Sequence, residues 1–248
     1  MAVFNQPIHW GHRDVDWTYV PDSTEMAATS RRLFAEALGM LAFVFVAGAA
    51  IVNGSEIGLL GMAAATAVGY VVMVSLFQPI SGGHINPAVT VGMVAARRMP
   101  PSIGVLYIAA QFGGAILGAL LLNLIFDDFV ADAASAASLS FTGNTDVWIG
   151  GLLEAILAFI LVVVYFRAYV DPKGDRSTGA LALGMVVLFS FLVAFPLTGA
   201  ALNLARVFGT DLVAGAWTDF GYYWLGLAGG AVAGFLYEHL FAVREEES

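Results

Sequence analysis

At 248 residues, 59% apolar and only 12% charged, with a mean hydropathy of +0.82, the chain lies far outside soluble proteins, where about a quarter of residues are charged. It reads as an integral membrane protein. A net charge of −9 argues against nucleic acid or an anionic lipid surface as partner, and the absence of cysteine excludes disulfides, thiolate metal sites and cysteine nucleophiles.

Residues 1–30 are polar, unlike a secretory signal peptide, and are expected to form a soluble cytoplasmic tail. Trp10, Trp17 and Tyr19 make that tail aromatic, and one reading of it is a cover over the cytoplasmic mouth. Apolar runs long enough to cross a hydrocarbon core of about 30 Å as helices follow at about 33–52, 57–77, 103–126, 147–166, 179–197 and 218–243. None alternates as barrel strands do. The expected fold is an all-α membrane protein of six spans in one domain, 31–243, with a short tail at 244–248.

The basic residues orient it. Arg13, Arg31 and Arg32 precede the first span, Arg97 and Arg98 follow the second, Arg167, Lys173 and Arg176 separate the fourth from the fifth, and Arg244 follows the sixth. With an even number of spans all of these fall on one side, which the positive-inside rule makes cytoplasmic together with both termini. The plasma membrane is the expected location. Arg206 alone lies inside a membrane segment, where the cost of a charge marks it as functional; a salt bridge with Asp211 or a loop acid is the plainer alternative.

The chain is written twice. AEALGMLAFVFV at 35–46 echoes LEAILAFILVVV at 153–164, with Glu36 and Glu154 in matching places, and Tyr107, Gly113, Gly114 and Gly118 recur at identical intervals as Tyr223, Gly229, Gly230 and Gly234. Each repeat, about 31–126 and 147–243, holds three spans and one Asn motif: SGGHINPAVT at 81–90 and TGAALNLAR at 198–206. Three is odd, so the second repeat enters the membrane inverted relative to the first, an arrangement that puts the functional site near the midplane, where helices are discontinuous. The glycines are read as close helix packing.

After each Asn comes an apolar stretch too short to span, 86–96 and 203–214, expected as a re-entrant half-helix. Non-helical backbone survives at membrane depth only where it is buried in protein or lines a water-filled cavity, so the lead-in segments are candidate pore lining. Asn86 and Asn203 would cap helix N-termini, whose unpaired N–H groups and dipoles contribute roughly half a positive charge each. Two such ends facing each other repel cations. Asn amides aimed at a passing water occupy its lone pairs and interrupt proton hopping.

These half-helix motifs, the preceding SGGH, the Arg three residues after the second Asn, the repeated glutamates and the duplicated three-span layout resemble the aquaporin and glycerol-facilitator family, the major intrinsic proteins. The resemblance covers about residues 31–243. It implies six transmembrane helices plus two half-helices, a homotetramer in the lipid bilayer with one pore per chain, and passive conduction of water and small neutral solutes such as glycerol without protons or ions. It carries the pore motifs onto Asn86, Pro87, Ala88 and Asn203, Leu204, Ala205, and the selectivity filter onto Thr66, Phe191, Ala200 and Arg206. Glu36, Glu154 and His84 become pore-loop supports.

One departure is Leu204, where the family has Pro. Proline suits a first helical position because its missing N–H would be unpaired anyway; leucine exposes that N–H and loses the ring. Small Thr66 and apolar Phe191 suggest a wide filter, whereas Val207 and the Tyr223-Trp224 pair follow the water-channel pattern.

Histidine side chains ordinarily titrate near neutrality, so a pH gate is one reading of His84, with a loop-bracing or pore-entrance role as the plainer one. His9, His12 and His239 lack ligand spacing, and no nucleotide loop, catalytic triad or metal-hydrolase helix occurs, so no cofactor, metal or enzymatic activity is expected. Two rivals remain. A secondary transporter would need buried ionisable groups beyond the two glutamates; an anion channel of the formate or nitrite type would lack the paired Asn motifs.

Overall fold

A computed structural model describes residues 18–20, 22–126 and 146–241. The described residues form eight α-helices and no strand: α1 (Ser23–Val52), α2 (Gly54–Ser81), α3 (Pro87–Ala95), α4 (Pro101–Phe126), α5 (Val147–Tyr165), α6 (Arg176–Thr198), α7 (Leu204–Ala214) and α8 (Phe220–Leu236). Five of them, α1, α2, α4, α5 and α6, are long and apolar enough to cross a membrane. The sixth span is α8, whose 17 residues continue into a π-helical turn, Tyr237–Phe241, as α5 continues into Phe166–Val170. Helices α3 and α7, of 9 and 11 residues, reach only halfway.

The ends of these helices follow from their caps. α1 starts at Ser23, inside the segment expected as tail, because Asp22 and Glu25 cap reciprocally: the Glu25 N–H donates to Asp22 Oδ1 at 2.9 Å and the Asp22 N–H to Glu25 Oε2 at 3.1 Å. Such a box satisfies two of the donors a helix start leaves open. Just before it, Ser102 Oγ donates to the carbonyl of Tyr19 and ties the start of the described chain to α4; Trp10 and Trp17 lie outside the described residues. Asp146 and Asp175 cap α5 and α6 with their carboxylates. α2 and α6 end alike, each with a proline in its last turn, Pro79 or Pro196, and a left-handed glycine cap, Gly82 at φ 94° or Gly199 at φ 73°.

Packing repeats with the sequence. α1 lies against α4 and α5 against α8, while α2 meets α6 across the centre. The half-helices are exchanged: α3 packs on α8 of the second repeat and α7 on α4 of the first. Glycine permits the closest crossings. A Cβ on Gly114 would stand 2.1 Å from the Ala37 carbonyl oxygen, and one on Gly229 would stand 2.1 Å from that of Ala155, the same contact in both repeats. Small residues let helices approach where lipid supplies no hydrophobic drive. The outer surface stays apolar, with Phe34, Leu60, Val105, Leu124 and Trp148 exposed, as a lipid solvent requires.

Candidate functional site

The half-helices point their N-termini at each other, and the segments leading to them are strained in a repeated way. Ile85 and Leu202, each immediately before its Asn, take φ values of 45° and 51°, and Ala200 takes 46°. Left-handed backbone costs a residue with a Cβ about 1–2 kcal/mol, and such geometry persists only where its surroundings over-determine it.

The two repeated glutamates do this. Buried Glu36 accepts from Ser81 Oγ at 2.6 Å and the His84 N–H at 3.0 Å through Oε1, and from the Ile85 N–H and Gln111 Nε2, both at 2.7 Å, through Oε2. Buried Glu154 repeats the pattern, accepting from Thr198 Oγ1 at 2.5 Å, the Ala201 N–H at 3.0 Å and the Leu202 N–H at 2.7 Å. Tyr107 and Tyr223 complete each cradle, donating to the carbonyls of Ser81 at 2.9 Å and Thr198 at 2.5 Å. The His84, Ile85, Ala201 and Leu202 N–H groups freed by the non-helical backbone thus each have a carboxylate acceptor, which buried polar groups require.

His84 is fully buried. Its ring lies between those of Tyr107 and Tyr165, and Nδ1 is 3.0 Å from Thr90 Oγ1, which also receives Gln111 Nε2 at 3.1 Å. These contacts hold the ring in place.

Asn86 caps α3 by accepting the Ala88 N–H at 2.8 Å, and Asn203 caps α7 by accepting the Ala205 N–H at 3.1 Å. Their amide nitrogens cross over. Asn86 Nδ2 donates to the Leu202 carbonyl at 2.9 Å, and Asn203 Nδ2 donates to the Ile85 carbonyl at 2.8 Å. An amide carries two N–H groups, so the second on each remains for the cavity that both residues line; at Asn203 only the weakly accepting Met40 Sδ, at 3.7 Å, competes for it. Pro87 opens α3 and Leu204 opens α7 at the same helical position. The leucine side chain is buried with Ala201, Val207 and Tyr223, against Ile51, Phe112 and Leu227.

Arg206 lines the same cavity, together with Phe191 and Ala200. Its Nη2 donates to the carbonyls of Gly199 at 3.0 Å and Ala200 at 2.9 Å, and its Cζ stands 5.2 Å from the centre of the Phe191 ring. Backbone carbonyls, not a carboxylate, take up that side of the guanidinium. Nε and Nη1 have no hydrogen-bond partner among the described residues.

Of the residues singled out in the sequence, the structure thus gathers Asn86, Asn203, Phe191, Ala200 and Arg206 on one cavity. Thr66 is buried on α2 and is not among the residues lining it. Four liners were not singled out: Phe43, Tyr70, Leu161 and Val187. Their signal was the repeat itself, since they occupy matching places in the two halves.

The family model described as major intrinsic protein matches residues 23–237. The chain is 38% identical over 230 residues to "Aquaporin TIP4-4" of Zea mays, covering 88% of this chain and 89% of that protein. It is 39% identical over 216 residues to "Aquaporin-4" of Bos taurus, covering 84% and 66% of the two. In fold it is similar to the aquaglyceroporin from Plasmodium falciparum solved by X-ray crystallography, with a TM-score of 0.75 at 20% identity over 86% of this chain and 96% of that one.

Proposed function

The chain belongs to the major intrinsic protein family, a family of membrane channels rather than enzymes, and from that premise we propose that it passively conducts water and small neutral solutes such as glycerol while excluding protons and ions. The observation that carries this reading is the pair of opposed half-helix starts whose asparagines share one cavity with Arg206.

A water at the asparagines accepts the free N–H of each amide. With both lone pairs occupied it turns its hydrogens away from that point, so a file of waters cannot relay a proton through it. The two helix dipoles add positive potential at the same level, each end worth about half a charge. At the outer end, Phe191, Ala200 and Arg206 form the selective ring, with Thr66 beside it. Arg206 donates from Nε and Nη1 to a neutral permeant and repels cations. Glu36, Glu154 and His84 hold the loops that carry these groups.

The functional unit is the channel domain 31–243, one pore per chain in a homotetramer, in the plasma membrane with both termini cytoplasmic. The test is stopped-flow light scattering on proteoliposomes with a pH-sensitive dye inside. Wild type is expected to shrink faster than empty vesicles under an osmotic gradient and to hold a pH gradient as well as they do. Proton or anion flux above the empty-vesicle rate overturns the reading.

A further inference from the structure

We propose that a groove between the ends of α5 and α8 holds the phosphate headgroup of an anionic phospholipid. The site is separate from the pore and independent of what the pore conducts.

The groove is lined by Val163, Arg167, Asp171, Lys173, Tyr237 and Phe241, so it joins the π-helical turns that extend α5 and α8 to the connection leading into α6. It opens on the outside of the bundle. Leu161 lines the pore cavity, and two residues further on, just over half a helical turn, Val163 lies on the opposite side of α5. Ile149, Leu152 and Ile156 are apolar and exposed, and from them to Val163 and Arg167 the steps are three, four, seven and four residues, which puts all five on one stripe. On α8, Val232 and Phe235 are likewise exposed on the way to exposed Phe241. An apolar track thus runs along the helices and ends at cations, the layout of an acyl chain below its headgroup.

The charges in the groove leave cationic groups available. Buried Asp171 accepts from the Tyr237 hydroxyl and from the Lys173 N–H, both at 2.8 Å, and pairs with Arg167 Nη1 at 3.2 Å. Its charge is therefore met inside the groove. Arg167 engages it with a side chain that stays 55% exposed, and a guanidinium has five N–H donors. The Lys173 ammonium has no ion pair among the described residues, so two cations stand against one anion. Basic pockets between transmembrane helices on the cytoplasmic side are a recurrent seat for anionic headgroups, and the distribution of arginine and lysine assigns this end to the cytoplasm. Snorkelling of long side chains toward water accounts for two cations at a helix end, not for the groove they share with Val163 and Phe241. The net charge of −9 weighs against attraction to an extended anionic surface, not against one headgroup held in a groove.

The whole protein, purified in neutral detergent, is titrated with phosphatidylglycerol, with phosphatidylcholine of the same chains, and with inorganic phosphate; retained lipid is counted by native mass spectrometry and unfolding followed by scanning fluorimetry. Phosphatidylglycerol is expected to be retained in preference to phosphatidylcholine and to raise the unfolding midpoint more, while inorganic phosphate at equal concentration leaves the midpoint in place. Lys173→Gln is expected to lower the retention ratio of the two lipids roughly fivefold, the worth of one cation beside an anionic headgroup, and the double variant Arg167→Gln, Lys173→Gln to lower it further. Arg31→Gln, an equal change of charge on α1 outside the groove, is expected to leave the ratio unchanged. Arg167 also supports buried Asp171, so the single Lys173 variant carries the comparison if the double variant does not fold. Equal retention of both lipids by wild type, a ratio that Lys173→Gln does not move or that Arg31→Gln moves as much, or inorganic phosphate matching the lipid's stabilisation, overturns the proposal. Water and proton flux, which test the channel, enter none of these measurements, so either reading can fail without the other.

Discussion

A guanidinium at membrane depth persists only when its surroundings replace water. At Arg206 two backbone carbonyls and the Phe191 ring face do so on one side, leaving Nε and Nη1 as donors without a partner among the described residues. Arg206→Val removes the charge and those donors without touching the asparagines. Water flux is expected to stay within a few fold of wild type while protons or small cations begin to leak, measured with the pH dye and with a cation-sensitive dye in proteoliposomes; a variant as tight as wild type counts against the arginine's excluding role. The asparagines, Arg206 and the glutamates were legible in the sequence because polar groups in an apolar run stand out and because each pair kept its spacing. Phe43 and Tyr70 were not. In a membrane helix every face is apolar, so composition does not say which one meets the cavity. Thr66, placed by counting back from Asn86, is buried on α2 outside the residues that line this cavity.

Helix length and number were legible for a plain reason: apolar runs must match the bilayer. The ends were less so. The α1 start at Ser23 depends on the reciprocal capping of Asp22 and Glu25, a polar signal inside a stretch whose hydropathy alone reads as tail. For α7 the local question is Leu204. It occupies the first helical position, the one proline tolerates, so the interior penalty of about 3 kcal/mol does not apply to Leu204→Pro. Its side chain, however, is buried among Ala201, Val207 and Tyr223, and proline fills that space less fully. The variant is expected to fold and conduct water, with a small loss of thermal stability by scanning fluorimetry in detergent. Collapse of expression would mean that the leucine packing, not the cap, holds the start of α7 in place.

At the scale of the molecule the repeat sets what can exist on its own. Each asparagine donates to the carbonyl before the other one, and each half-helix rests on a spanning helix of the opposite repeat. Neither half therefore contains the partners of its own asparagine or the bed of its own short helix. Translated in order, the first repeat must wait in the bilayer without the partners of the Asn86 amide and the Ile85 carbonyl until the second repeat arrives, and its last contacts form only when α7 and α8 are inserted. Residues 1–145 expressed alone are expected to be degraded or aggregated, whereas co-expression with 146–248 as a separate chain restores a complex that conducts water in the same assay. A stable, monodisperse first half would show that its loop finds other partners. Maturation of this protein is thus a late event, completed only once the second repeat has inserted, and the clasp at its centre acts as a checkpoint that neither half passes without the other.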